Sequence, residues 1–215
     1  MDTRNALLDA AESAARRCGH DGFSYKDLSA AVGIRTASIH YHFPTKPDLL
    51  QAVMQRYHLA MQQALEALTL ASTTAGQQLA GIIDLYRQAL DQGNTYCLCV
   101  ALSLGCARLP ESIVAQLDAF RAMVHDWLSS VFARGREDGS LRAVSEPALE
   151  ADACLALLEG AQLAARSSGG ATGAVIEGGT VIEGGAVTRA DARFLRAVTL
   201  LSRRIVEHGY ANTET

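Results

Sequence analysis

The run Gly22-Phe-Ser-Tyr-Lys-Asp-Leu-Ser-Ala-Ala-Val-Gly-Ile-Arg-Thr-Ala-Ser-Ile-His-Tyr-His-Phe-Pro-Thr-Lys46-Pro-Asp-Leu-Leu50 decides the fold of this chain. Ser24 is an N-cap residue for a short helix reaching Ala31, with Leu28 and Val32 turned inward. Gly33 allows a tight turn into a second short helix over residues 36–42. There Ile39 and Phe43, four apart, face inward, and Thr36, Ser38, His40 and His42 are left outward. The chain turns at Phe43-Pro44-Thr45, and Thr45 caps a new helix with Pro47 in its first turn, where proline is tolerated. Upstream, residues 3–18 place Leu7, Leu8, Ala11, Ala14 and Ala15 on one stripe before Gly19 stops the helix. A packing helix followed by two short helices across a glycine turn is a helix-turn-helix arrangement. Its last helix is the one shaped to enter a major groove.

This stretch resembles the TetR family signature. That signature closes its recognition helix with a tyrosine, one further residue and a phenylalanine, here Tyr41-His42-Phe43, then a turn with lysine and an acidic residue, Lys46 and Asp48, before paired leucines, Leu49-Leu50. The resemblance covers about the first 55 residues; beyond them only the helical plan matches. It implies a DNA-binding regulator, not an enzyme, whose operator contacts come from Ser24, Arg35, Thr36, Ser38, His40, Tyr41 and Lys46. Hydroxyl, imidazole and cationic side chains of this kind suit base edges and phosphates. In one departure from the family, almost no basic arm precedes the first helix.

The totals set the frame around the motif. With 215 residues and 49% hydrophobic content, the chain can bury a core without metal or disulfide support. A net charge of −4 gives no bulk attraction to nucleic acid, so DNA contact has to come from local geometry and two copies acting together. No apolar run reaches the ~20 residues of a membrane span, and residues 1–5 show no signal-peptide pattern. A cytoplasmic protein with no membrane partner is therefore expected. Five cysteines, an odd number, argue against a secreted disulfide framework and for free thiols.

The remaining helices are read from apolar spacing at residues 48–68, 77–90, 95–109, 112–136, 147–166 and 188–208, with a loop at 72–76. This makes an all-α chain of roughly nine helices with no confident strand. The expected division is a helix-turn-helix DNA-binding domain, residues 1–46, and a helical sensing and dimerisation domain, residues 47–215. Residues 167–187 carry the repeat Val175-Ile-Glu-Gly-Gly-Thr, Val181-Ile-Glu-Gly-Gly-Ala and are expected to be an inter-helix loop, with a hairpin as the alternative. The last two helices, with Leu155, Leu158, Ala161, Leu195, Val198 and Leu201, are the expected seam of a homodimer, whose heads would sit ~34 Å apart on a pseudo-palindromic operator.

Tyr96-Cys-Leu-Cys-Val-Ala-Leu-Ser-Leu-Gly-Cys106 is the most unusual stretch outside the head. If Thr95 caps its helix, Cys97 lies in the first turn, where free N–H groups stabilise a thiolate. Cys99 and Cys106 would share one face and Cys97 would point away from Cys99, so direct disulfides are disfavoured while the helix is intact. The stretch resembles the NemR-like subgroup, which senses electrophiles and oxidants through a cysteine at the start of this helix. The resemblance implies Cys97 as the sensor. Two other readings stand beside it: buried packing of Cys99 and Cys106, and a soft-metal site formed by Cys97, Cys99 and Cys106. A thiol oxidoreductase is disfavoured because no Cys-x-x-Cys is present. Cys18 and Cys154 are expected in the core. Tyr86, Phe120 and Trp127 are candidates for a small-ligand pocket, with His125 as a polar group near it and Arg166 as a partner for a thiolate or an anion. No resident cofactor or metal is required. Modification of Cys97, or ligand binding, is expected to shift the helix at 48–68 and with it the spacing of the heads, a coupling of about 1–3 kcal/mol.

Overall fold

The computed structural model describes residues 2–166 and 188–206. The repeat at 167–187 and the end of the last expected helix, toward His208, lie outside the described residues. So does the side chain of Cys106.

The described residues form ten α-helices in chain order: α1 Thr3–Cys18, α2 Tyr25–Val32, α3 Thr36–His42, α4 Lys46–Ala71, α5 Ala75–Gln88, α6 Leu98–Ser103, α7 Glu111–Glu137, α8 Pro147–Arg166, α9 Arg189–Ala197 and α10 Thr199–Ser202. Short 3-10 turns sit at Asp91–Gly93 and Cys106–Arg108. Among the described residues no helix is long and apolar enough to cross a membrane. The extended pairing is limited to an isolated bridge, Leu141 with Ile205.

The head is built as its capping residues require. Ser24 and Thr45 each close a capping box, with Asp27 and Asp48 as the reciprocal partners. Gly33 ends α2 in the left-handed region at φ 75°, and its N–H bonds to the Ser29 carbonyl. A side chain there meets no neighbour, so any penalty is purely conformational. Gly33→Ala is expected to cost about 1–2 kcal/mol, measured as a lower urea midpoint with unchanged m-value. No change would mean that the turn relaxes out of φ > 0. Leu7, Leu8, Ala11, Leu28, Ile39, Phe43, Leu49 and Leu50 close the small core under α1, α2, α3 and the start of α4.

The body is a stack in which α7 packs on α4, α5 and α8, and α8 packs on α9. Phe120, Val124, Leu128, Val131 and Phe132 of α7 are buried in its centre. Helix α5 begins two residues earlier than its apolar spacing predicts. The reason is tertiary: Asp138 accepts from the Ala75 N–H at 2.9 Å and Ser140 from the Gly76 N–H at 2.9 Å, satisfying donors that a helix start otherwise leaves open.

Two expected helices differ more. The single helix at 188–208 breaks at Val198 and ends in i to i+3 bonds, such as Ile205 N–H to Ser202, because the chain has to leave helical geometry to pair Ile205 with Leu141. The expected helix at 95–109 shrinks to six residues. Residues 95–97 are drawn into bonds with α1, α5 and α8 described below, and the segment after Ser103 tightens into a 3-10 turn.

The residues named for a dimer seam also divide. Leu158, Ala161, Val198 and Leu201 are buried within the protomer, Leu155 is half-buried, and Leu195 is exposed. The outward face of α8 instead carries Leu149, Ala153, Ala156, Gly160 and Leu163 at helical spacing.

Candidate functional site: a recognition helix and a buried thiol joined through the first helix

On α3, Arg35, Thr36, Ser38, His40 and Tyr41 are all exposed, with Tyr41 at 85%. Ile39 alone in this helix is buried; of the outward set expected from the sequence, Thr36, Ser38 and His40 are exposed and His42 is half-buried. The His40 Nδ1 faces the Pro44 carbonyl at 3.1 Å. A carbonyl only accepts, so Nδ1 carries the proton, and in the neutral ring Nε2 is left as an outward acceptor. The His40 ring also meets Tyr25 edge-on at 4.9 Å, while the Tyr25 hydroxyl donates to the Phe43 carbonyl at 2.9 Å. These bonds fix the tilt of α3 on the head.

Two expected contact residues have partners within the protein. The Ser24 hydroxyl donates to Asp27 at 2.7 Å inside its capping box. The Lys46 ammonium donates to the Phe23 carbonyl at 2.6 Å and lies 4.3 Å from the Phe23 ring centre. Lys46 is thus folded back across the head and locks α4 to the start of α2, where the sequence reading had it reaching outward to a phosphate.

Cys97 is the N-cap residue of α6, with extended backbone (φ −51°, ψ 139°), two residues after the expected cap at Thr95. Its N–H donates to the Gln162 Oε1 at 2.8 Å, and the same amide donates through Nε2 to the Tyr86 carbonyl at 2.7 Å. The thiol sits where α6 begins. It receives hydrogen bonds from the Cys99 thiol, from the Tyr57 hydroxyl at 3.3 Å and from the N–H groups of Cys99 and Val100. The expectation that Cys97 and Cys99 point apart is therefore corrected. It assumed both inside one helix, whereas the extended N-cap swings the Cys97 sulfur over the first turn. The expectation that Cys99 and Cys106 share a helical face also fails, because α6 ends at Ser103.

These donors, the Cys99 thiol first, outweigh burial and bring the Cys97 thiol down from the ordinary 9.0 to about 7. Burial pushes Cys99 up, helped by its donation to Cys97, and burial carries Cys154 up to about 12. Alkylation of reduced protein by iodoacetamide is accordingly expected to rise through pH of about 7 at Cys97, with Cys154 silent. Tyr57→Phe should move that midpoint upward; an unchanged midpoint would remove Tyr57 as a donor. Since the folded thiol ionises below the unfolded one, its contribution to stability is full above 9.0 and fades as pH falls through about 7.

A cavity of about 270 Å³ opens beside this thiol, lined by Cys97, Tyr57, Tyr86, Met61, Arg16 and further side chains of α4 and of α5 and its end. The Tyr86 hydroxyl is buried there without a hydrogen-bond partner. Of the other residues expected around a ligand, Phe120 is fully buried against Tyr57 and His58. The Trp127 indole N–H donates to Thr69 at 2.9 Å, bracing α7 on α4. His125 stands between Asp126, Asp152 and the Ala148 carbonyl. Arg166 caps the Tyr96 ring at 4.5 Å and donates to the Arg17 and Asn94 carbonyls, so it does not meet the thiolate. Cys18, expected in the core, is exposed, whereas Cys154 is buried as expected. Among the described residues no three His, Cys, Asp or Glu side chains converge as a metal site.

Arg16 of α1 joins the head to the thiol. Its guanidinium donates to the Tyr96 carbonyl at 2.9 Å and to the Ala89 carbonyl at 2.8 Å, and the Tyr96 N–H returns a bond to the Arg16 carbonyl at 3.1 Å. Arg56 of α4 grips the same helix through Asp9 at 2.7 Å and Glu12 at 2.8 Å. The turn before the thiol holds Asp91 and Gln92 at positive φ, 43° and 56°, a strained arrangement for residues with a Cβ. Arg16, Tyr57 and Gln162 were not singled out from the sequence. The only available signal was Gln162, a lone amide in an otherwise apolar stretch of α8.

A helix-turn-helix head with an outward polar recognition helix, carried on an all-helical body, defines a DNA-binding regulator. Residues 7–53 match the family described as bacterial regulatory proteins, tetR family. The HTH-type transcriptional repressor NemR of Escherichia coli K12 is 28% identical over 172 residues, covering 78% of this chain and 85% of that protein. The HTH-type transcriptional regulator CymR of Pseudomonas putida is 29% identical over 145 residues, 63% of this chain and 68% of its own. Among solved structures, a TetR-family regulator from Agrobacterium tumefaciens superimposes with a TM-score of 0.80 at 27% identity, covering 95% of this chain and 97% of that one. The reduced form of Escherichia coli NemR gives 0.74 at 25% identity, covering 96% and 98%. Residues 7–53 thus carry the DNA-binding region of the tetR family, and along most of its length the chain is similar to TetR-family transcriptional regulators.

Proposed function

We propose that the protein is a homodimeric repressor that leaves its operator when Cys97 is modified by an electrophile or oxidant. The observation that carries this reading is the junction at residues 95–97. One short segment presents an acidified thiol to a cavity and is hydrogen-bonded to α1 of the DNA-binding head. Residues 1–46 act as the head and residues 47–215 as the sensing and dimerising body, in the cytoplasm. The outward stripe on α8, with Leu195 and Leu200 beside it, is a suitable dimer seam, since small residues let two helices approach closely.

Modification of Cys97 removes the acceptor that Tyr57 and the α6 N–H groups surround. The segment 95–97 then has to move, and Arg16 passes that movement to α1. Tyr57 adds a second route through α4, the helix the sequence reading singled out. A coupling of about 1–3 kcal/mol would weaken operator binding ~5–150-fold. A reversible ligand in the same cavity, using Tyr86, would act through the same segment. NemR, named a repressor, is the relative that supports the direction of control.

The test is binding to DNA flanking the protein's own gene by reduced, N-ethylmaleimide-treated and Cys97→Ser protein. Release on alkylation, spared in the serine variant, is expected. Equal binding in all three would remove Cys97 as the sensor.

A further inference from the structure

We propose that Cys97 and Cys99 form a two-electron thiol pair, in which a hydroperoxide oxidises Cys97 and Cys99 closes the disulfide. The proposal rests on the reading of Cys97 as the sensor and adds the oxidant class and the resolving residue. Both side chains are buried at the start of α6, two residues apart, and near enough for their thiols to interact, with the Tyr57 hydroxyl 3.3 Å from the Cys97 sulfur. Residues two apart cannot separate their Cα atoms by more than about 7 Å, which keeps the pair at or within the span that a disulfide bridges.

The local backbone can accommodate the closure. Cys97 is extended, and Cys99 lies in the first turn of α6, where N–H groups have no partner within the helix. The bond from the Ala101 N–H to the Cys97 carbonyl ties the helix start to Cys97. Strain from the new S–S bond therefore falls on residues 95–97, the segment that Arg16 and Gln162 hold.

In the first step the Cys97 thiolate attacks one peroxide oxygen and the O–O bond breaks. The sulfur is oxidised to sulfenic acid, and the departing oxygen takes a proton and leaves as water or an alcohol. The cavity reaches Cys97 and is lined in part by Tyr86, whose buried hydroxyl has no partner and is the donor this step assigns to the departing oxygen. In the second step the Cys99 sulfur, giving up its proton, attacks the Cys97 sulfur. The S–O bond breaks, and the hydroxyl leaves as water with that proton.

The experiment uses the full chain in a Cys18→Ser, Cys106→Ser background, which removes the exposed thiol among the described residues and the third cysteine of the 96–106 stretch. Reduced protein is treated with hydrogen peroxide in the presence of dimedone, which traps sulfenic acids, and the peptide bearing both cysteines is weighed. The expected product is a peptide lighter by two hydrogens, with no dimedone on it. Cys99→Ser should accumulate dimedone on Cys97, and Cys97→Ser should give neither product. Cys99→Ala, with helical circular dichroism equal to the parent, repeats the result if the serine is poorly tolerated. Dimedone on Cys97 of the parent to the same extent as in Cys99→Ser, or a disulfide from Cys97 to any other cysteine, overturns the pair but leaves Cys97 as the sensor. A Cys97 inert to both peroxide and N-ethylmaleimide overturns both readings.

Discussion

Arg35→Ala is expected to weaken operator binding by about 2–6 kcal/mol, because the proposed dimer would lose a base or phosphate contact worth about 1–3 kcal/mol in each head. Tyr41→Ala should act in the same direction. The stability of either variant should stay within about 0.5 kcal/mol of the parent, as for other exposed positions. Tyr41 is 85% exposed and touches only the edge of the His42 ring. Arg35 stands at the N-cap of α3 but makes no side-chain capping bond, so alanine removes no helix-stabilising partner. Binding isotherms at several salt concentrations separate the roles. Loss of a phosphate contact reduces the salt slope by about one, whereas loss of a base contact relaxes sequence preference. Wild-type affinity in both variants would show that α3 does not face DNA.

Gln162→Leu is expected to be the most destabilising single change in the body. The leucine fills the space of the amide but restores neither bond, leaving the Cys97 N–H and the Tyr86 carbonyl buried without partners. At about 1–3 kcal/mol for each orphaned group, the cost is roughly 2–6 kcal/mol. That is a large share of the 5–15 kcal/mol typical of a folded domain. Urea unfolding of reduced protein measures it. A loss below about 1 kcal/mol would mean that the backbone at Cys97 finds other partners, and that Gln162 does not hold the segment in place. Because the same bond fixes the N-cap at Cys97, the variant should also lose the sharp alkylation midpoint at about 7.

The head was legible because its determinants are local. Ser24 and Thr45 cap helices through partners three residues away, and Gly33 turns the chain through its own φ. Spacing of four placed Ile39 and Phe43 inward, and thereby the contact face outward. The helical plan of the body follows from apolar periodicity in the same way, and so does Cys97 near a helix start. All of this is fixed by neighbours within about one helical turn, which is the range over which sequence pattern carries information.

The chemistry of the thiol lies beyond that range. Capping by Thr95 was the natural local reading, but its hydroxyl donates to the Ala89 carbonyl at 2.7 Å, and Arg16, some eighty positions upstream, takes the Tyr96 carbonyl. Gln162 then claims the Cys97 N–H from α8, and the helix starts at Leu98. That shift of two residues turns the Cys97 sulfur toward Cys99 and Tyr57. Arg166 as a partner for a thiolate or an anion and Lys46 as a DNA contact were likewise local readings, and the packed chain redirects both to backbone carbonyls and aromatic rings. The sequence by itself therefore determined the helix-turn-helix head, the outward face of its last helix and the placement of Cys97 near a helix start, because short-range capping and periodicity specify them. Only the tertiary structure decided which donors surround that cysteine and how it is joined to the head. Those bonds link segments far apart in the chain, and they form only because buried amide, guanidinium and carbonyl groups have to find partners once packing excludes water.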